Sequence, residues 1–272
     1  MPELPEVETV KNGLSPHIIG QAIQHAHINR RKMRIEAPID SQILLEGYSV
    51  TGIERRSKYL YIYLSSHNCL IIHLGMSGNL TMLPLKAPHR KHDHLVLDFN
   101  HLSLHFNDAR RFGFYDIQKT AQLPLLPYIK NLGIEPLTDE FTVNYLSELI
   151  KNSKRPIKTL LMDSHLIVGI GNIYASESLF STNISPLRLA RDIDKSSVTK
   201  LHQSIVTILN EAILSGGASL KDHKQADGTL GYFQHNFKVY GRENEPCKIC
   251  ETPILKIIQS ARSTFYCPHC QP

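Results

Sequence analysis

The period of apolar and polar positions changes once along this chain of 272 residues. Near the start, Val7, Val10 and Leu14 follow Pro5 at helical spacing, which predicts an amino-terminal helix with proline in its first turn. Short β-type runs come next: Ala22 to Ile28, Tyr48 to Leu64, Cys69 to Leu74, His94 to Phe99 and Leu102 to Phe106. Several of them alternate, as in Leu95-Val96-Leu97-Asp98-Phe99, and turn pairs such as Gly78-Asn79 and Asn100-His101 separate them. That is the pattern of a β-sandwich or barrel. From Leu132 the punctuation shifts to Gly133, Pro136 and Asp139, and the runs become helical: Thr142 to Lys151, Ile157 to Asp163, Ile173 to Phe180 and Ser196 to Leu214. The prediction is an α+β chain, with a β domain, a boundary near 130–140, a helical domain and a third module from about Val239. The stretch Gly216 to Gly231 has little periodicity and is long enough to be a functional loop.

An apolar content of 42% is enough to build cores for two domains. No apolar run approaches the ~20 residues of a membrane span. The acidic first ten residues argue against a secretory signal, so the expected location is cytoplasmic, away from membranes. Thirty Lys and Arg face 25 Asp and Glu, with 15 His and a pI near 8.9, an excess of positive charge that permits nucleic-acid binding without demanding it.

Cysteine usage is more informative. Cys69 stands alone, whereas Cys247, Cys250, Cys267 and Cys270 fall in the last 26 residues. Two Cys-x-x-Cys knuckles separated by 16 residues have the spacing of a four-thiolate zinc site. Between them, Ile254 to Ile258 and Thr264 to Tyr266 read as paired strands with a turn at Gln259 to Ser263, which places Arg262 at a hairpin tip. An arginine there is suited to holding phosphate, and equally to a solvated surface. Glu251 occupies a knuckle position where Gly commonly supplies a positive backbone angle.

Further candidate chemistry lies at the amino end. If Met1 is removed, Pro2 becomes a secondary amine, and an α-amino group titrates near ~7.7–8.0, leaving a nucleophilic fraction at neutral pH. Glu3 would lie within reach of the same substrate. Pro and Glu also simply open helices. In Gly169-Ile170-Gly171-Asn172, a glycine pair precedes a helix start, which fits either a phosphate seat or a plain helical corner. Lys154, Arg155 and Lys158 upstream read as a solvated face or as backbone contacts. His73-Leu74-Gly75-Met76-Ser77-Gly78 and Asn107-Asp108-Ala109-Arg110-Arg111-Phe112-Gly113 are Gly-bounded turns that would expose Met76 and Phe112, apolar wedges beside an arginine. Lys58 lies in an otherwise apolar strand, and His92 and His94 fit a polar strand start or metal ligands.

The phrases PELPEVETV, RRSKYL, HLGMSG, KHDH, ARRFG, GIGNIYASESLF, GGASLKD, QADG and VYGR, followed by the Cys module, run in the order seen in formamidopyrimidine-DNA glycosylases, and the chain resembles that family from end to end. The resemblance implies a β-sandwich at 1–135, a helix–two-turn–helix domain at 136–236 and a zinc-finger β-hairpin at 237–272. It implies a monomer that acts on double-stranded DNA containing oxidised purines or abasic sites, with one structural zinc and no redox or nucleotide cofactor. Pro2 is then the nucleophile and Glu3 the general acid or base; Lys58 serves β-elimination and Arg262 δ-elimination. DNA contacts are implied at His73, His92, Arg110, Asn172 and Arg262, with Met76, Arg110 and Phe112 inserted into the duplex. Departures are local: Lys221-Asp222-His223-Lys224-Gln225 differs from the usual loop over the flipped base, and Asn244 and Glu251 replace glycines. The competing readings are the endonuclease VIII-type sibling for oxidised pyrimidines and a non-catalytic DNA-binding zinc protein. Leu4 and Arg110-Arg111-Phe112 favour the purine branch over the first.

Overall fold

Leu4, Val7, Val10, Leu14 and Ile18 form one apolar ridge, and burying it makes the start of the chain helix α1 (Leu4–Ile18). The computed structural model describes residues 2–218 and 232–272; of the predicted loop Gly216 to Gly231, the part from 219 onward lies outside the described residues. After α1 come β1 (His25–Ile28), α2 (Ser41–Leu45), β2 (Val50–Arg56), β3 (Tyr59–Leu64), β4 (Asn68–His73), β5 (Asn79–Pro84), β6 (Asp93–Asp98), β7 (Leu102–Asn107) and β8 (Phe114–Lys119). They form two four-stranded antiparallel sheets, β1-β6-β7-β5 and β2-β3-β4-β8. Leu60, Ile62, Leu70 and Ile72 from one sheet share a core with Leu95, Leu97, Leu104 and Phe106 from the other, and Val7, Val10 and Leu14 of α1 join it. This is the predicted sandwich, and each such side chain contributes roughly 1.5–3 kcal/mol by leaving water.

The run Tyr48 to Leu64 is two strands rather than one. Ser57, at φ 57°, turns the chain between β2 and β3, so Lys58 sits in a hairpin turn and not within a strand. The turn is only Ser57-Lys58 and contains no Gly, Pro, Asn or Asp, so the sequence carries no strong turn signal there. Strands β5 and β8 and the short α2 were also absent from the periodic reading.

The second half contains α3 (Val143–Lys151), α4 (Ile157–Leu161), α5 (Asn172–Ser181) and α6 (Lys195–Leu214), then the hairpin of β9 (Leu255–Gln259) and β10 (Arg262–Tyr266). Thr142 caps α3 by accepting from Tyr145 N at 3.0 Å. Phe180 of α5 shares a small core with Val239, Ile254, Phe265 and the cysteines. The buried Glu177 carboxylate of α5 accepts from the backbone N–H groups of Lys238 (2.9 Å), Val239 (3.1 Å) and Tyr240 (2.8 Å). A hairpin of this size cannot build its own core, and here it borrows one from the helices.

By packing, residues up to Lys130 form one unit with the described residues 215–218 and 232–234. Residues 131–214 and 235–272 form the other, so the hairpin module is packed into the helical unit. No helix among the described residues is long and apolar enough to cross a membrane.

Candidate active site and nucleic-acid interface

In the first unit, Pro2 and Glu3 lie at the mouth of α1 and both are buried, Glu3 as its N-cap residue. The carboxylate of Glu6, one turn on, accepts the Glu3 backbone N–H at 2.8 Å on Oε2 and the Ala218 backbone N–H at 2.9 Å on Oε1. Ala218 in turn bridges to Tyr232. Gly217, at φ 76°, permits this approach: a Cβ there would lie 3.3 Å from Glu6 Cα, Cγ and Oε1. The sequence reading passed over Glu6. Its signal was present, since carboxylates at the N-cap and three residues later are a capping-box spacing.

Arg55 of β2 donates to Glu8 of α1 at 2.7 Å and to the Ser57 carbonyl at 2.9 Å. One guanidinium thus fixes the turn that carries Lys58 against the helix that carries Glu3. His73, at the end of β4, lies beside Tyr59 and stacked on Phe114, ring centroids 4.9 and 5.6 Å away. Burial, then the positive charges of Arg34 and Lys58, press its pKa down to about 4. Its Nδ1 accepts from Gly75 N at 3.1 Å, so the proton of the neutral ring is on Nε2, a donor for an anion.

The two Gly-bounded turns are a single built object. Asp108, fully buried, accepts from Ser77 Oγ (2.5 Å), Arg110 N (3.2 Å) and Gly113 N (2.8 Å). At Gly75, φ 65°, a Cβ would lie 2.3 Å from Gly113 N, so the two backbones meet where only glycine fits. The platform leaves Met76 41% and Phe112 45% exposed, with the Arg110 guanidinium 4.9 Å from the Phe112 ring centroid. Large apolar side chains left in water on a rigid turn are available to a partner. His92 is partly exposed just before β6. His94 is buried at the start of β6 with Nε2 2.7 Å from the Asp108 carbonyl oxygen, the place that the strand-start reading gave it.

In the second unit, α4, α5 and the hairpin bring together residues far apart in sequence. Lys158 is only 1% exposed. Its ammonium donates to Asn172 Oδ1 (2.6 Å), Thr264 Oγ1 (2.7 Å) and the Ser263 carbonyl (3.2 Å), and Asn172 Nδ2 donates to the same carbonyl at 2.7 Å. The reading of Lys158 as a solvated or DNA-facing cation is therefore corrected: it is the buried bolt between helix start and hairpin. Arg262 is exposed directly after a two-residue turn, Ser260-Ala261, both at positive φ, tighter than the predicted five-residue turn. Arg155, Lys158 and Arg262 line a pocket of about 190 Å³ with Gln259 and Ser260. Its lining also includes Asp163, which pairs with Arg155 at 2.8 Å, and Lys158 is engaged in the contacts above, so the cation of this pocket that is left to meet an anion is Arg262.

The four carboxy-terminal Sγ atoms lie within 4.8 Å of one another. Zinc–sulfur bonds of about 2.3 Å in a tetrahedron place sulfurs about 3.8 Å apart. The separations of 3.9 Å for Cys247–Cys270 and 3.4 Å for Cys250–Cys267 fit that geometry. Glu251 and Asn244, at φ 63° and 66°, take the strained angles that glycine would occupy freely.

Family models match in the order of these parts: the formamidopyrimidine-DNA glycosylase N-terminal domain over residues 1–115, its H2TH domain over 132–224, and a zinc finger found in FPG and IleRS over 244–272. The chain belongs to the formamidopyrimidine-DNA glycosylase family. Formamidopyrimidine-DNA glycosylase of Dinoroseobacter shibae is 46% identical, with all of both chains covered, and that of Legionella pneumophila (strain Paris) is 44% identical, covering 100% of this chain and 99% of the other. Among solved structures, a Lactococcus lactis FPG variant in complex with a Fapy-dG containing DNA is 37% identical, covers 99% of each chain and has a TM-score of 0.92. Wild-type Lactococcus lactis FPG in complex with an oxidized pyrimidine containing DNA has a TM-score of 0.91 at 38% identity, again over 99% of each chain. The family's zinc finger and the thiolate geometry agree on one structural zinc held by Cys247, Cys250, Cys267 and Cys270.

Proposed function

We propose that this chain is a base-excision repair enzyme that removes oxidised purines from duplex DNA and then cuts the strand at the resulting abasic site. The observation that carries the reading is Pro2-Glu3, buried at the capped start of α1, in a chain that matches the family along its whole length. With Met1 removed, the Pro2 nitrogen attacks the sugar C1′ of a flipped-out nucleotide; the C1′–N bond breaks and the base leaves with a proton. Glu3 serves that step as general acid or base. The imine formed acidifies the adjacent C2′ hydrogen. Its loss expels the 3′ phosphate by β-elimination, and a second elimination expels the 5′ phosphate. Lys58 serves the first elimination and Arg262 the second.

His73, His92, Arg110, Asn172 and Arg262 hold phosphates, and Met76, Arg110 and Phe112 fill the space left by the extruded nucleotide. His73 suits its role because its Nε2–H is the free end of an oriented ring. The zinc finger keeps the Arg262 hairpin folded. The chain works as a monomer in the cytoplasm, as the family resemblance implies. In functional terms the three parts are the sandwich at 1–135, the helix–two-turn–helix domain at 136–236 and the zinc hairpin at 237–272.

The test is borohydride trapping on a duplex with one 8-oxoguanine, followed by mass spectrometry. Attachment at Pro2, abolished when Met1 is retained, is expected; attachment at Lys58, or trapping with Met1 in place, would overturn the nucleophile assignment. The oxidised-pyrimidine reading rests on the Lactococcus lactis complex. A panel of duplexes with single defined lesions separates it from the purine reading, which Leu4 and Arg110-Arg111-Phe112 favour. Complete absence of strand nicking on that panel would leave a non-catalytic DNA-binding protein.

A further inference from the structure

The first unit carries a second cationic feature that the proposed mechanism does not use. Arg30, Arg31, Lys32 and Arg111 line a cleft of about 570 Å³ with Met33 and a single carboxylate, Glu36. Glu36 pairs with Arg31 at 3.1 Å. Among the described residues, no carboxylate is paired with Arg30, Lys32 or Arg111, and all three are exposed. Like charges gathered this closely repel one another unless an anion lies between them.

The segment is built rather than loose. Arg30 N donates to the His94 carbonyl at 3.1 Å, and the Arg30 carbonyl accepts from the buried Tyr115 hydroxyl at 2.9 Å. Ala37 N donates to the Arg31 carbonyl at 3.1 Å, Lys32 bridges to Glu36, and Met33 packs on the sandwich core. Arg111, at φ 58°, is presented by the same Asp108-braced turn that carries Arg110 and Phe112. The next cation in the segment, Arg34, is close enough to His73 to depress its pKa. Through Arg111 the cleft adjoins the proposed phosphate-holding residue Arg110 on the same turn.

We propose that this cleft is an additional binding surface for the DNA phosphodiester backbone, in which Arg30, Lys32 and Arg111 hold phosphates beyond those held at His73 and Arg110. The inference rests on the DNA-binding reading above. A polyanion with regularly spaced charges is the partner that several fixed, unpaired cations along one groove fit. Glu36 moderates the attraction by engaging Arg31.

The test is fluorescence anisotropy of the full chain on a duplex with a stable abasic analogue, across a salt series, for wild type, Arg30→Gln/Lys32→Gln and Glu36→Gln. Removing one cation from a phosphate flattens the log–log salt slope by about 0.9, so between 50 and 200 mM salt the double variant should lose about 3- to 12-fold less affinity than wild type. Glu36→Gln should tighten binding, because it frees Arg31. An unchanged slope in a double variant with wild-type circular dichroism would overturn the proposal, as would a double variant that loses affinity for polyglutamate but not for DNA. Arg30→Lys/Lys32→Arg should keep the wild-type slope, and loss of the slope there would also refute it. Wild-type protein that failed to bind the duplex at all would overturn the parent reading and this one together, whereas normal wild-type binding with an unaltered double variant overturns only the cleft.

Discussion

Replacing Glu6 by Gln tests how the reacting end of the chain is held. A backbone donor meets each oxygen of this carboxylate: Glu3 N at 2.8 Å and Ala218 N at 2.9 Å. An amide of the same shape can meet only one of them with its oxygen. Its NH2 then faces the other N–H, donor against donor, in a site where the side chain is 2% exposed. The loss comprises one charge-assisted bond plus an unsatisfied buried donor. At roughly 1–3 kcal/mol for the buried donor, with some relief from no longer desolvating a charge, the net cost should be about 2–4 kcal/mol. The assay is urea unfolding followed by circular dichroism, since the chain has no tryptophan. The same variant should show slower borohydride trapping on a preformed abasic site, because the Glu3 backbone, and with it Pro2, loses its anchor. Glu6→Asp keeps both acceptors on a shorter arm and should fall between the two. A change below about 0.5 kcal/mol with wild-type trapping would refute the argument that the carboxylate is needed.

Lys158→Met should destabilise the second unit by about 2–4 kcal/mol, because Asn172 Oδ1 and Thr264 Oγ1 lose a buried donor that a thioether cannot replace; a matching loss of DNA affinity through Asn172 and Arg262 should accompany it, read by denaturation and anisotropy. Glu251→Gly should raise stability by about 1 kcal/mol by relieving a left-handed backbone at φ 63°, measured as greater resistance of the zinc finger to chelator. For His73, whose folded pKa is pressed down to about 4, the unfolded chain takes up a proton near ~6.5 that the folded chain refuses. Its contribution to stability is therefore complete above about pH 6.5 and is lost as pH falls towards about 4. His73→Asn should remove that share of the acid sensitivity, and identical pH profiles for the two proteins would contradict it.

Much of this protein is legible in its sequence. The period of two over the first half and of 3.6 over the second placed most strands and helices, because each element must bury one face or stripe, and that demand is written locally. The zinc site was legible for the same reason: two short knuckles carry all four ligands, and their spacing depends little on the rest of the fold. The Pro2-Glu3 pair and the Gly-bounded turns were visible as residues. Only the tertiary structure showed that Gly75 and Gly113 are glycines because two backbones meet there, and that Asp108 braces both turns. The Ser57 turn escaped the pattern because Ser57-Lys58 contains no Gly, Pro, Asn or Asp, the residues that mark turns most strongly, although Ser57 takes φ 57°. Lys158 escaped for a different reason. A lysine on a helix is normally solvated, and nothing near residue 158 in the chain shows that Ser263 and Thr264, more than 100 positions away, will close over it. Sequence determined which groups are present and which local shapes they prefer. Folding alone decided which of them are buried together, and with that which charges are silent supports and which remain free to meet an anion.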